Sequence, residues 1–180
     1  MRRNQIEAAS FFNRLVSDFG CYGNGRFLDG EKFWAKMMNT NLSPDIRTYN
    51  AKLVGLVYEK KLDEAVELFN KLASKNLKPD EFSYNAIITG FCNNGDLTEA
   101  KNWYAKLGQS DSTTNKATFA ALIRLACKSG DYDWSIELFQ QTIEEKCIVD
   151  RNVVQMMIDG LVKEKKIEDA IEAAFFFYFC

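Results

Sequence analysis

The chain has 180 residues, 47% of them hydrophobic, with two prolines, ten glycines and a formal net charge of −2. That is enough to bury a core and excludes a disordered or fibrous chain; the balance of charge excludes a bulk electrostatic pull toward nucleic acid, so any such binding must rest on a local surface. Histidine is absent, which removes the usual general base and the commonest metal ligand, and with them any Ser-His-Asp or Cys-His catalytic set.

No apolar run reaches the roughly 18 to 20 residues a membrane-spanning helix needs, and the apolar tail from Ala173 to Cys180 is far shorter. Met1-Arg2-Arg3 is basic, but no apolar signal segment follows it. The cysteines lack CxxC spacing and read as reduced, buried thiols rather than a disulfide framework. Cys92 and Cys127 share one slot of the repeat described next and read as core residues.

Residues 1–45 read as a divergent leading unit closed by Pro44-Asp45. Phe33, Trp34, Met37 and Met38 fall where Leu68, Phe69 and Leu72 fall one unit later, while Gly20, Gly23 and Gly25 blur the first helix. The Phe12-Asn13 pair sits two residues too early to match Tyr49-Asn50.

In residues 46–80, Tyr49, Leu53, Leu56 and Val57 follow the stripe of an amphipathic helix. Glu59-Lys60-Lys61 interrupts it, and Asp63 is placed to cap a second helix carrying Ala65, Leu68, Phe69 and Leu72. The stretch Lys75 to Asp80 ends that helix, because Pro79 cannot continue it. Residues 81–115 repeat the plan with Tyr84, Ile87, Ile88 and Phe91, then Ala100, Trp103, Tyr104 and Leu107. Residues 116–150 repeat it with Phe119, Leu122, Ile123 and Ala126, then Ile136, Leu138, Phe139 and Ile143. A last unit, 151–180, begins with Val154, Met157, Ile158 and Leu161 and stops in mid-pattern, which reads as a mature or partial form of something longer. Thr98, Asp133 and Glu168 occupy the cap slot of the later second helices.

The period is thirty-five residues: Tyr49-Asn50 meets Tyr84-Asn85, Pro44-Asp45 meets Pro79-Asp80, and Ala65 meets Ala100, Ser135 and Ala170. Periods of this size mean stacked modules. One helical hairpin cannot bury both its faces, but stacked neighbours make a continuous core. The expected architecture is therefore one continuous all-α solenoid, with helices of about eleven to thirteen residues and one helix of each hairpin lining a groove. The recurrent small residue is explained by close helix approach. The run Phe175 to Phe179 breaks the pattern and reads as a buried terminal cap or irregular terminus, with a partner-contact surface as the alternative.

Thr48-Tyr49-Asn50, Leu62-Asp63-Glu64-Ala65-x-Glu67-Leu68-Phe69, Leu77-Lys78-Pro79-Asp80 and Phe82 to Gly90 resemble the pentatricopeptide repeat. The tetratricopeptide signature is absent. The resemblance implies a right-handed α-solenoid of antiparallel helix-turn-helix repeats that binds single-stranded RNA in plant-type organelles. In that family each unit reads about one base, through a residue early in its first helix and the last residue of the unit. Carried over, the pairs are Asn50 with Asp80, Asn85 with Asn115, and Ala120 with Asp150, with Asn13 and Asp45 as a fourth. The first resembles a uracil-preferring pair and the second a pyrimidine pair leaning to cytosine, whereas Ala120 offers no hydrogen bond. The base-flanking residues would be Arg47, Phe82, Ala117 and Asn152; a stack on Arg47 or Phe82 is worth about 1–3 kcal/mol, and the other two stack poorly.

Taken alone, Asn50 and Asn85 read as early-helix residues bonding to backbone; recurrence beside Tyr turns the reading toward bases. Lys52, Lys116, Arg124 and Lys128 read equally as solvated side chains or phosphate contacts. A DYW-type deaminase domain would need H-x-E and C-x-x-C, and neither occurs. No enzyme activity, cofactor, metal, membrane or small-molecule substrate is expected.

Three functional readings follow. The first is a mitochondrial protein of the small ribosomal subunit in plants, touching rRNA and ribosomal proteins. It rests on a likeness of Lys36-Met37-Met38, Asp45 to Ala51, Lys116 to Ala120, Cys127 to Asp131 and Asp159 to Lys163 to the short pentatricopeptide proteins of that particle. The second is an organellar transcript-processing or stability factor, with the chloroplast as the alternative compartment. The third is a protein–protein scaffold.

Overall fold

A computed structural model of the chain describes residue 22 and residues 26–40, 42–110 and 112–179. Nine helices run through the described residues: α1 Phe27–Asn39, α2 Ile46–Tyr58, α3 Leu62–Ser74, α4 Glu81–Asn94, α5 Leu97–Gly108, α6 Lys116–Lys128, α7 Tyr132–Glu144, α8 Arg151–Lys163 and α9 Ile167–Phe179. They contain no strand, and none of them is long and apolar enough to cross a membrane. Their lengths, 12 to 14 residues, match the spacing of the apolar stripes. Asn13, Gly20, Gly23 and Gly25 lie outside the described residues.

Each first helix ends in the same turn. Lys60 (φ 59°), Gly95 (φ 78°), Gly130 (φ 75°) and Lys165 (φ 63°) recur in one slot of the repeat, all left-handed. The next amide in each case reaches back five residues, as Lys61 N–H does to Leu56 O at 2.8 Å and Asp131 N–H to Ala126 O at 2.9 Å. This is the Schellman closure, and it favours glycine because a Cβ crowds the following carbonyl. Second helices close likewise at Asn76 (φ 55°) and Lys146 (φ 54°).

The cap assignments need correction. Asp63, Thr98, Asp133 and Glu168 lie within the first turns, because the helices begin earlier, at Leu62, Leu97, Tyr132 and Ile167. The caps of α5 and α7 are Asp96 and Asp131, which accept from Glu99 N–H (3.0 Å) and Trp134 N–H (3.3 Å). Lys61 holds the same position in α3 with no side-chain cap bond. The displaced carboxylates Asp63 and Asp133 still sit near the positive end of their helix dipoles.

The chain divides into two compact units, residues 1–90 and 91–180, with the boundary inside α4. In the first unit the second helix of one hairpin packs on the first helix of the next through an aromatic pair: Trp34 on Tyr49 at 5.1 Å, and Phe69 on Tyr84 at 5.0 Å. In the second unit the equivalent pair is Tyr104 with Phe119 at 6.3 Å. Edge-to-face contacts of this kind add about 0.5–1.5 kcal/mol each to area burial, and their recurrence holds successive hairpins in register.

Within the second unit α6 packs on α5, α7 and α8, which explains why it buries Leu122, Ile123, Leu125, Ala126 and Cys127 together. Ala65, Ala100 and Ser135 are fully buried and Ala170 nearly so; their small size lets neighbouring helices approach closely. Burial pushes the Cys92 thiol up to about 12 and raises that of Cys127, as befits inert core thiols.

The aromatic tail is also corrected. The helix α9 runs regularly through Phe179, and Phe175 (58% exposed) and Phe176 (38%) lie open. A run of like residues in a helix places side chains all around it, and α9 has a neighbour on only part of its circumference.

Candidate nucleic-acid interface

Four first helices start in one register, at Ile46, Glu81, Lys116 and Arg151. Their second residues, Arg47, Phe82, Ala117 and Asn152, are all exposed, Phe82 with 61% of its surface open. Their fifth residues differ: Asn50, Asn85 and Ala120 are buried, while Gln155 is exposed and donates from Nε2 to Asp159 at 2.8 Å.

The last residue of each unit is the N-cap of the following first helix. Asp45 accepts from Thr48 N–H at 2.9 Å and Thr48 Oγ1 at 2.8 Å, and Asn115 accepts from Thr118 N–H at 2.9 Å. Asp80 accepts from Ser83 N–H at 3.0 Å. A carboxylate or carboxamide here satisfies a backbone donor that the helix cannot.

The structure brings Asn50 and Asp80 together. Asn50 Nδ2 donates to Asp80 Oδ1 at 2.8 Å, and Ser83 Oγ donates to Asn50 Oδ1 at 2.7 Å. The expectation that Asn50 bonds to backbone is therefore replaced by a side-chain network, because Asp80 already serves the backbone. Ala120 and Asp150 form no such pair. Asp150 caps α8 by position only and makes no side-chain cap bond; it is exposed and bound to Lys116 at 2.8 Å. That ammonium holds the Asp150 carboxyl below its ordinary range. Asn85 belongs to the first unit and Asn115 to the second. Asn13 lies outside the described residues.

Lys52 is not a free cation. Its side chain is 13% exposed, lies 2.9 Å from Glu31 Oε1 and sits 4.4 Å above the Trp34 ring. Arg124 and Lys128 are exposed.

From α6 to α9 the charges separate by layer, although the preceding second helix α5 carries Lys101 and Lys106 against Glu99. The adjacent first helices α6 and α8 carry Lys116, Arg124, Lys128, Arg151 and Lys163 against the lone acid Asp159. The adjacent second helices α7 and α9 carry Asp133, Glu137, Glu144, Glu168, Asp169 and Glu172, with no Lys or Arg. A chain that is weakly acidic in total thus keeps a basic layer, and local potential governs encounter with a polyanion. Beside α6 and α8 lies an open depression of about 400 Å³ whose lining includes Lys128, Tyr132, Asn152, Gln155, Asp159 and Lys163. Among the described residues no group of three or more Cys, Asp or Glu is arranged to hold a metal ion.

The hydroxyls Thr48, Ser83 and Thr118, third in their helices and buried, were not singled out as part of the site. Their signal is present in the sequence, since they recur one unit apart and three residues after each cap.

Tandem helical hairpins in one register, each opening on a polar cap and an exposed second residue, define a helical-repeat protein. The chain matches the PPR repeat family over residues 44–93 and 79–128, and the PPR repeat over 117–147. These matches cover more than half of it, and it belongs to the pentatricopeptide repeat family. Maize PPR10 superposes with a TM-score of 0.68 at 22% identity over 89% of this chain and 23% of that one. PPR10 in complex with an 18-nt psaJ RNA element gives the same score and identity over 90% and 24%. The PPR domain of Arabidopsis thaliana protein-only RNase P 1 in complex with tRNA gives 0.70 at 18% identity over 83% and 78%. The chain spans less than a quarter of the maize protein's length. No curated protein sequence matches it. The fold is the all-α helical-repeat solenoid of these proteins.

Proposed function

We propose that this chain binds single-stranded RNA along the first helices of its repeats, as a binding protein rather than an enzyme. The observation that carries the reading is the Asn50–Asp80 contact, which joins the two slots the family uses for one base. The exposed Arg47 and Phe82 support it as stacking surfaces, and the basic layer of α6 and α8 supports it as a phosphate track. PPR10 and the PPR domain of protein-only RNase P 1 were each crystallised with RNA.

Within that reading, the chain is a mitochondrial component of the plant small ribosomal subunit, held by rRNA and by ribosomal proteins. The support is the weakness of base reading at the Ala120 slot: Ala120 lacks a polar group and Asp150 is bound to Lys116. A module with so few readers fits RNA held by shape and neighbours better than RNA recognised by sequence alone. A transcript-processing or stability factor, in the mitochondrion or the chloroplast, is the competing role. Sucrose-gradient fractionation of organelles separates the two. Co-sedimentation with small-subunit rRNA is the expected result, and slow sedimentation with one crosslinked transcript would replace the ribosomal role with the second.

A further inference from the structure

We propose that Ser83 is a positioning residue that sets base preference at the first reading slot, by holding the Asn50 carboxamide in one of its two orientations. A carboxamide can present either its oxygen or its nitrogen to a given partner, and a side chain free to flip discriminates poorly between bases. Here four hydrogen bonds determine the choice. Asp80 N–H donates to Ser83 Oγ at 3.2 Å, and Ser83 N–H donates back to Asp80 Oδ1 at 3.0 Å. This is a reciprocal box at the start of α4. Ser83 Oγ–H then donates to Asn50 Oδ1 at 2.7 Å, and Asn50 Nδ2–H to Asp80 Oδ1 at 2.8 Å.

The ring runs Asp80, Ser83, Asn50 and back to Asp80. Ser83 Oγ also lies 3.0 Å from Asp80 Oδ1, but its single proton serves one acceptor, and the Asn50 oxygen is the nearer. Flipping the carboxamide would set its oxygen against the Asp80 carboxylate, which only accepts. One Nδ2 hydrogen and one Oδ1 lone pair are left over, in fixed places, for a base. Ser83 is fully buried, so water does not take over its part.

A second slot shows the converse. Where the fifth residue is Ala120, the third residue of the next first helix is Val153, buried and without a hydroxyl, and Asp150 turns to Lys116 instead of closing a ring. Hydroxyl and carboxamide are lost together. The reading unit at the first slot is therefore three residues, Asn50, Asp80 and Ser83, drawn from two consecutive repeats.

The inference rests on the RNA-binding reading, and its test keeps the two apart. The full chain, Ser83→Ala and Ser83→Thr are titrated by fluorescence anisotropy with U12, C12 and A12 RNA, and exchange of the Asn50 side-chain amide protons is followed by NMR. Asp96→Ala, which removes the α5 cap and touches no reader, controls for lost stability. Expected results are faster Asn50 amide exchange in Ser83→Ala and a U12-to-C12 affinity ratio moved toward unity by about fivefold, the scale of one hydrogen bond. Ser83→Thr keeps the wild-type ratio, since threonine already occupies this slot as Thr48 and Thr118, and so does Asp96→Ala. An unchanged ratio, or unchanged amide exchange, in Ser83→Ala overturns the positioning role. Failure of the wild-type chain to bind any of the three RNAs overturns the RNA-binding reading itself.

Discussion

The Asn50 carboxamide reaches across 30 residues to donate to Asp80, the cap of the following hairpin's first helix. Asp80 therefore does two jobs: it terminates a backbone that would otherwise leave donors unmet, and it orients a side chain of the preceding repeat. The two jobs separate by substitution. Asp80→Ala should cost about 1 kcal/mol through the cap alone, read as a lower urea midpoint at constant slope. Asp80→Asn should keep most of the cap, since Asn115 performs the same duty at α6. Equal loss of stability in both variants would mean that the cap is not what Asp80 contributes.

The left-handed slot yields a stabilising change. Lys60 and Lys165 adopt φ of 59° and 63° where Gly95 and Gly130 stand in other units. A non-glycine residue there carries strain on the order of 1 kcal/mol, partly offset by the freedom glycine adds to the unfolded chain. Lys60→Gly should raise stability by about 0.5 kcal/mol, whereas Gly130→Ala should lower it by about 1 kcal/mol. Thermal unfolding of the two variants checks the opposite signs.

Gly55 is small for a different reason. A Cβ built there would lie 2.6 Å from Tyr22 Cβ and 2.7 Å from Tyr22 Cγ. Those atoms lie next to the Tyr22 backbone, so the ring cannot swing aside without moving the chain. Gly55→Ala should destabilise by roughly 1–3 kcal/mol through overpacking, with helicity at low temperature unchanged by circular dichroism.

Asp131 caps α7 and is bound by Lys101, whose ammonium also lies over the Trp134 ring at 4.8 Å. The hydrogen bond from Lys101 is the main cause that lowers the Asp131 carboxyl from its usual range. A carboxyl lowered in the folded state stabilises above its unfolded pKa and loses that contribution as pH falls through the folded value. Asp131→Asn keeps a capping oxygen and removes the charge. The wild type should therefore be more stable than the variant near pH 7, with the gap closing as pH falls below about 4. A gap that persists at pH 2 would contradict the assignment.

The architecture was legible because Ala65, Ala100, Ser135 and Ala170 mark one buried position, and apolar stripes of helical period flank each of them. The pairing of Asn50 with Asp80 on one base was legible through the family resemblance alone, and their direct contact was not. Nothing in spacing says that residues 30 apart touch, and the packing of Phe69 on Tyr84 helps bring the two hairpins together. Ser83 was overlooked because a hydroxyl in a first turn is unremarkable locally, and its partner lies in another hairpin. The second-helix caps were misplaced because any acid near a helix start suits the dipole. Only the apolar residue ahead of it, such as Leu62 or Tyr132, marks where the helix begins. Lys52 could not be sorted from a phosphate contact without knowing that Glu31 and Trp34 enclose it.

The most direct test is fluorescence anisotropy of the full chain with pyrimidine-rich single-stranded RNA, beside the double variant Asn50→Ala, Asn85→Ala, over a series of salt concentrations. RNA bound along the first helices predicts wild-type affinity that falls as salt rises. It also predicts a loss of about fivefold or more in the double variant, whose circular dichroism stays that of a folded helical chain. Equal affinity of the folded variant and the wild type would contradict base reading by these residues.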